Sequence, residues 1–133
     1  MRYIVDTRVL LWSIGQSEQL SDQAAAILSD LTNEILVSVV SLWEISLKFG
    51  LGKLVLGSIT PGDIPGYCKR LRYEIAPIDA EDAATYQNLR RVESHRDPFD
   101  RMLIHQCIRK KAFLISKDRR MYQYEDQGLR CVW

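Results

Sequence analysis

Residues 3–12 read YIVDTRVLLW: an apolar triplet, an acid, a threonine, a base, then four apolar residues. Tyr3, Ile4 and Val5 are too few for a helix and read as a short buried strand. Residues 7–14 carry the apolar spacing of a helix. Asp6 therefore sits at a strand-to-helix corner, inside what should become core. A buried carboxylate costs several kcal/mol unless it is hydrogen-bonded, paired or metal-bound. Asp6 has two readings: the N-cap of the helix behind it, or a member of a site beyond the end of its strand.

The same alternation continues along the chain. Ser21 is placed to cap a helix through Leu31, with Ala24, Ile27, Leu28 and Leu31 at helical spacing. Glu34 to Val40 is rich in β-branched residues and reads as a second strand. Ser41 is the expected cap of the next helix, which carries Leu42, Ile45 and Phe49 until FGLGK ends it. Thr60-Pro61, with Asp63, opens another helix. Tyr73 to Ile78 reads as a third strand, and Pro77 marks it as an edge or a strand end. Asp79 caps a helix to about Arg90, and Asp97-Pro98 starts a strongly amphipathic one to Lys111. Phe113 to Ser116 is a fourth strand, a short helical turn follows Asp118, and Leu129 to Trp133 is an edge strand. Strands alternating with helices predict one α/β domain over residues 1–133, with a parallel sheet covered on both faces.

Composition narrows the function by exclusion. Eighteen Lys and Arg against 17 Asp and Glu give a net charge of +1, so no global field selects a partner. Clusters such as Lys69-Arg70-Leu71-Arg72 and Arg109-Lys110-Lys111 read as solvated helix faces. Cys68, Cys107 and Cys131 form no C-x-x-C pair and fit a reducing cytoplasm, with Cys107 as core packing. His95 and His105 alone supply no zinc-finger or H-E-x-x-H spacing. Asp6 and Arg8 interrupt the only apolar N-terminal stretch, so neither a signal peptide nor a membrane span is expected.

Ligands of open α/β sheets bind beyond the carboxyl ends of the strands, and acids recur there. Asp6 follows the first strand, and Asp118 follows the fourth by one residue. Glu44 is the only charge in VVSLWEISL, flanked by Val40 and Leu47 on a helix. It either faces inward with a partner or joins a solvated face through Lys48. In HRDPFDR, Asp97 before Pro98 is the natural N-cap, which leaves Asp100 for chemistry. Asp118 also has a capping reading. Converging carboxylates repel one another unless a cation neutralises them. Hard oxygen ligands select Mg²⁺ or Mn²⁺, and such a site suits phosphodiester hydrolysis by metal-activated water.

Taken together, YIVDTRVLLW, ILVSVVSLWEISLK, HRDPFDRMLIHQC, LISKD and the terminal segment ending in Trp133 resemble the PIN-domain nucleases, specifically the VapC-type toxins of bacterial toxin–antitoxin pairs. The resemblance runs nearly end to end. It implies a three-layer α/β/α sandwich whose metal-site acids fall on Asp6, Glu44, Asp100 and Asp118. Ser116 matches a hydroxyl position near that site. It further implies Mg²⁺- or Mn²⁺-dependent endonucleolytic cleavage of RNA, leaving a 3′-hydroxyl and a 5′-phosphate. The expected partners are a second copy of the chain and a cognate antitoxin, with DNA contacted only through that antitoxin. One position departs from the pattern: where close relatives read Asp-Thr-His or carry another small polar residue at the third place, this chain has Arg8. Arg8 either holds a substrate phosphate, pairs with Asp6 or Glu44 in competition with the metal, or points to solvent. The rival readings are a catalytically silent PIN fold that binds RNA or protein, and, fitting less well, a receiver-type phosphoacceptor.

Overall fold

β1 (Arg2–Val5) is the middle strand of a five-stranded, wholly parallel sheet. The computed structural model describes all 133 residues. β2 (Glu34–Ser38) and β3 (Glu74–Ala76) lie on one side of β1; β4 (Phe113–Ile115) and β5 (Arg130–Val132) lie on the other. Tyr3 pairs with Ile35 and Phe113, and Val5 with Val37 and Ile115. A central parallel strand is covered on both faces and cannot alternate apolar with polar, which is why Tyr3-Ile4-Val5 is continuously apolar.

The pleat divides these residues between two cores. Ile4, Leu36, Ala76 and Leu114 face Leu103, Ile104 and Cys107 of α6 (Pro98–Lys110), together with Met121 and Tyr124. Tyr3, Val5, Ile35, Val37 and Ile115 face the opposite layer. That layer comprises α1 (Thr7–Gly15), α2 (Asp22–Ser29) and α4 (Ile64–Arg70). α3 (Val39–Gly50) sends Val40 into the first core and Ile45 into the second, so it spans the sheet's carboxyl edge. The result is a three-layer α/β/α sandwich.

Several boundaries differ from the sequence expectation. β2 stops at Ser38, and α3 begins at Val39, three residues before Ser41 would have capped it. Ser38 is the cap, its hydroxyl accepting from the Val40 backbone N–H at 3.1 Å. The β-branched pair Val39-Val40 reads locally as strand, but the cap and the burial of Val40 against the first core override that preference. The helix after Asp79, α5 (Ala80–Thr85), gives way to a 3₁₀ turn at Tyr86–Asn88. The turn after Asp118 extends as a 3₁₀ run over Arg119–Gln127. Pro77 follows β3, an edge strand as its proline suggested. All three cysteines are free. No helix is long and apolar enough to cross a membrane.

Candidate active site

Because every strand is parallel, the carboxyl ends share one edge, and the strand order runs outward to opposite sides from β1 and β4 there. A cleft of about 820 Å³ opens at this edge. Five acids line it: Asp6, Glu44, Asp97, Asp100 and Asp118. Five bases line it too: Arg8, Lys48, Lys53, Lys117 and Arg120.

Asp6 leaves β1 as its backbone N–H donates to the Ile115 carbonyl at 3.1 Å. Its side chain caps α1, accepting from the Val9 N–H at 2.7 Å. The capping reading of Asp6 holds, and the same residue lines the cleft. Only 7% of Asp6 is exposed, and burial pushes its carboxyl up to about 6. The Ser116 hydroxyl and the Val9 N–H pull it down, the Asp100 charge pushes it up further, and Arg8 opposes that rise.

Glu44 is buried, so the inward reading holds rather than the solvated one. The Thr7 hydroxyl donates to its Oε1 at 2.6 Å and lies 3.0 Å from the Ser41 hydroxyl. Lys48, one turn further along α3, forms an ion pair with Glu44 Oε2. That carboxylate hydrogen bond raises the Lys48 pKa.

Asp97 caps α6, accepting from the backbone N–H groups of Phe99 at 2.9 Å and Asp100 at 3.4 Å. Asp100, in the first turn, receives His95 Nε2 at 3.0 Å on Oδ2. Burial raises the Asp100 pKa; the His95 hydrogen bond opposes this, and the charges of Asp97 and Glu44 add to it. Asp118 caps the 3₁₀ run through the Arg120 N–H at 2.9 Å. The Arg120 guanidinium grips the same carboxylate, with Nη2 2.7 Å from Oδ2, and holds its pKa below the ordinary range. Ser116 is wholly buried, and its hydroxyl accepts from the Asp118 N–H at 3.1 Å.

Arg8 is exposed on the cleft wall, 5.8 Å from the Trp12 ring, and pairs with neither Asp6 nor Glu44. The pairing considered from sequence does not form, because Lys48 already occupies Glu44 and Asp6 is engaged in its cap. Four residues of the site went unread in the sequence: Thr7, Lys48, His95 and Arg120. Lys48 carried a signal, its i+4 spacing from Glu44. Thr7 carried a weaker one, a hydroxyl beside Asp6 in the first turn of α1. His95 carried none, since its contacts to Asp100 and Tyr124 depend on how the segment before α6 folds back, whereas Arg120 lies two residues from Asp118 in the turn that Asp118 caps.

The PIN domain matches residues 3–127. The chain belongs to the PIN-domain family. Its fold is that of VapBC2 from Rickettsia felis bound to a DNA fragment from their promoter, at TM-score 0.67 and 18% identity over 99% of this chain and 98% of that one. DNA-bound VapBC from Salmonella typhimurium aligns at TM-score 0.68 and 15% identity, covering 99% and 97% of the two chains. FitAcB from Neisseria gonorrhoeae aligns at 0.62 and 17%, covering 98% and 96%. No curated protein matches the sequence.

The PIN-domain fold suggests a nuclease-like hydrolase, a family whose members often use divalent metal ions. No three His, Cys, Asp or Glu side chains of this PIN domain cluster closely enough to form a metal-binding group. The four acids predicted from sequence share the cleft but differ in state. Glu44 and Asp118 already hold cations. Asp6 and Asp100 have no Lys or Arg partner, and both are shifted toward the protonated form. Mg²⁺ is commonly held by one or two carboxylates with water completing its shell. A buried Asp6, its charge disfavoured by that of Asp100, and a partly buried Asp100 fit that requirement.

Proposed function

We propose that this PIN domain is a Mg²⁺- or Mn²⁺-dependent endoribonuclease and the toxin of a toxin–antitoxin pair. The observation that carries the reading is the pair of a buried Asp6 and a partly buried Asp100, neither of them paired to Lys or Arg, in a cleft at the carboxyl edge of the sheet. When bound, the ion supplies an activated water and offsets charge on the phosphoryl oxygens. Asp6 and Asp100 would hold it directly. Glu44 and Asp118 would act through water, or directly once Lys48 and Arg120 release them. Ser116 steadies Asp6 and the backbone of Asp118, and Asp97 fixes the first turn of α6 that carries Asp100. Arg8, free on the wall, is placed to meet an RNA phosphate. In this reading the chain works in the cytoplasm as a homodimer, is inhibited by a cognate antitoxin, and meets DNA only through it. The likenesses to DNA-bound VapBC structures support an antitoxin partner and its contact with DNA.

The test is cleavage of RNA by the native chain with Mg²⁺ or Mn²⁺, with EDTA, and by Asp6→Asn and Asp100→Asn. Metal-dependent cleavage by the native chain and its loss in both variants are expected; undiminished cleavage by both would falsify the assignment. The second reading, a silent PIN fold that binds RNA or protein, is favoured by the two resident ion pairs and the absence of a three-donor cluster. A calorimetric Mn²⁺ titration separates the two, since a silent fold takes up no ion at Asp6 and Asp100.

A further inference from the structure

His95 is almost wholly buried, although it lies in the irregular segment before α6. Its two ring nitrogens face two different groups: Nε2 lies 3.0 Å from Asp100 Oδ2, and Nδ1 lies 3.1 Å from the Tyr124 hydroxyl. Arg101 Nη1 donates to that same hydroxyl at 2.9 Å. A guanidinium has donors only, so the Tyr124 oxygen accepts there and keeps one hydrogen to give. The nearer acceptor is His95 Nδ1; the His95 carbonyl oxygen is 3.5 Å away. An Nδ1 that accepts is bare, so a neutral ring carries its hydrogen on Nε2, toward the Asp100 carboxylate.

Arg101 gives the chain its direction. It is buried, and its other hydrogen bonds run to neutral oxygens: the Tyr86 hydroxyl at 3.2 Å and the carbonyls of Leu89 at 3.0 Å and Arg90 at 3.4 Å. No carboxylate offsets its charge locally, so the guanidinium polarises the Tyr124 hydroxyl it touches.

We propose that Arg101, Tyr124 and His95 form a directional hydrogen-bond relay that pins Asp100 Oδ2 and leaves Oδ1 as its ligand oxygen. This makes His95 a positioning residue for the divalent-ion site. The inference rests on the reading of Asp100 as a metal ligand, and its analogue elsewhere is the partner that orients a metal-binding carboxylate or imidazole from behind. Removing such a partner typically weakens metal binding 10- to 100-fold.

Two measurements test it. Long-range ¹H–¹⁵N correlation on the metal-free, ¹⁵N-labelled chain reads the His95 tautomer directly; the signals are assigned by their loss in His95→Ala. The native chain is expected to show a bare Nδ1 and a protonated Nε2, and Tyr124→Phe to lose this fixed tautomer. Calorimetric Mn²⁺ titration then compares His95→Ala and His95→Gln, each checked for native circular dichroism. The expected result is roughly 10- to 100-fold weaker binding in the alanine variant, largely recovered in the glutamine variant, whose amide can donate from the Nε2 position. A native chain with hydrogen on Nδ1 and none on Nε2 overturns the relay, as does a folded His95→Ala that binds Mn²⁺ as the native chain does. If the native chain takes up no Mn²⁺, the nuclease reading fails, while the metal-free tautomer still decides whether the relay exists.

Discussion

Asp6 meets two demands that conflict in the absence of a metal. As a cap it must accept from Val9, and as a buried acid it must be neutral or paired. The ordinary value for its carboxyl is 3.8, and burial raises it to about 6 in the fold. Below 3.8 the folded and unfolded chains are both protonated there, and the group costs nothing. As pH rises from 3.8 through about 6 the unfolded chain ionises first, so stability is lost; above about 6 the loss is complete. The full loss is on the order of 3 kcal/mol. Asp6→Asn keeps an oxygen for the Val9 N–H and removes the charge. In EDTA the variant should be more stable than the native chain by up to about 3 kcal/mol at pH 7.5, with the gap closing toward pH 4. Urea unfolding at the two pH values checks this, and equal stability at pH 7.5 would show that burial does not penalise Asp6. Added Mn²⁺ should stabilise the native chain and leave the variant nearly unmoved.

At the scale of elements, helix starts were legible where the signal is local. Ser21, Asp79 and Asp97 cap the helices their sequence promised, because a cap needs only its own first turn. The start of α3 was not legible, since Val39 and Val40 favour a strand, and the Ser38 cap with the burial of Val40 decides otherwise. Asp97 links cap to site, because its bonds to Phe99 and Asp100 hold the turn from which Asp100 projects. Asp97→Ala should cost about 1 kcal/mol in urea unfolding and also weaken Mn²⁺ binding, while Asp97→Ser should restore most of both. On α3, Lys48 competes with any ion for Glu44. Lys48→Met should therefore tighten Mn²⁺ binding in a calorimetric titration while lowering metal-free stability, because Glu44 then stays buried with Thr7 as its remaining partner. Unchanged affinity would mean that Glu44 takes no part in binding the ion.

Across the whole molecule, the parallel sheet explains why the acids could be read and the bases could not. Asp6 directly follows a strand, Asp97, Asp100 and Asp118 open helical segments at the carboxyl edge, and Glu44 lies in the second turn of the helix after β2, so topology gathers them. Lys48 and Arg120 lie four and two residues from their acids, and only the burial of Glu44 and the turn after Asp118 decide that those pairs close. The consequence is a cleft with five acids and five bases, in a chain whose net charge is +1. Such a balanced wall should attract a polyanion weakly until something neutralises the acids and frees the bases. Asp118→Asn isolates this effect. Asparagine can still accept from the Arg120 N–H, so the cap survives, but the guanidinium is released and one negative charge is gone. One unit charge at about 4 Å in water is worth about 1 kcal/mol, so RNA should bind roughly fivefold more tightly in EDTA, read by fluorescence anisotropy. The same variant should cleave more slowly in Mg²⁺, because Asp118 no longer serves the ion. Tighter binding joined to slower cleavage marks a metal-site acid, whereas tighter binding with cleavage not slowed marks an acid that only held Arg120.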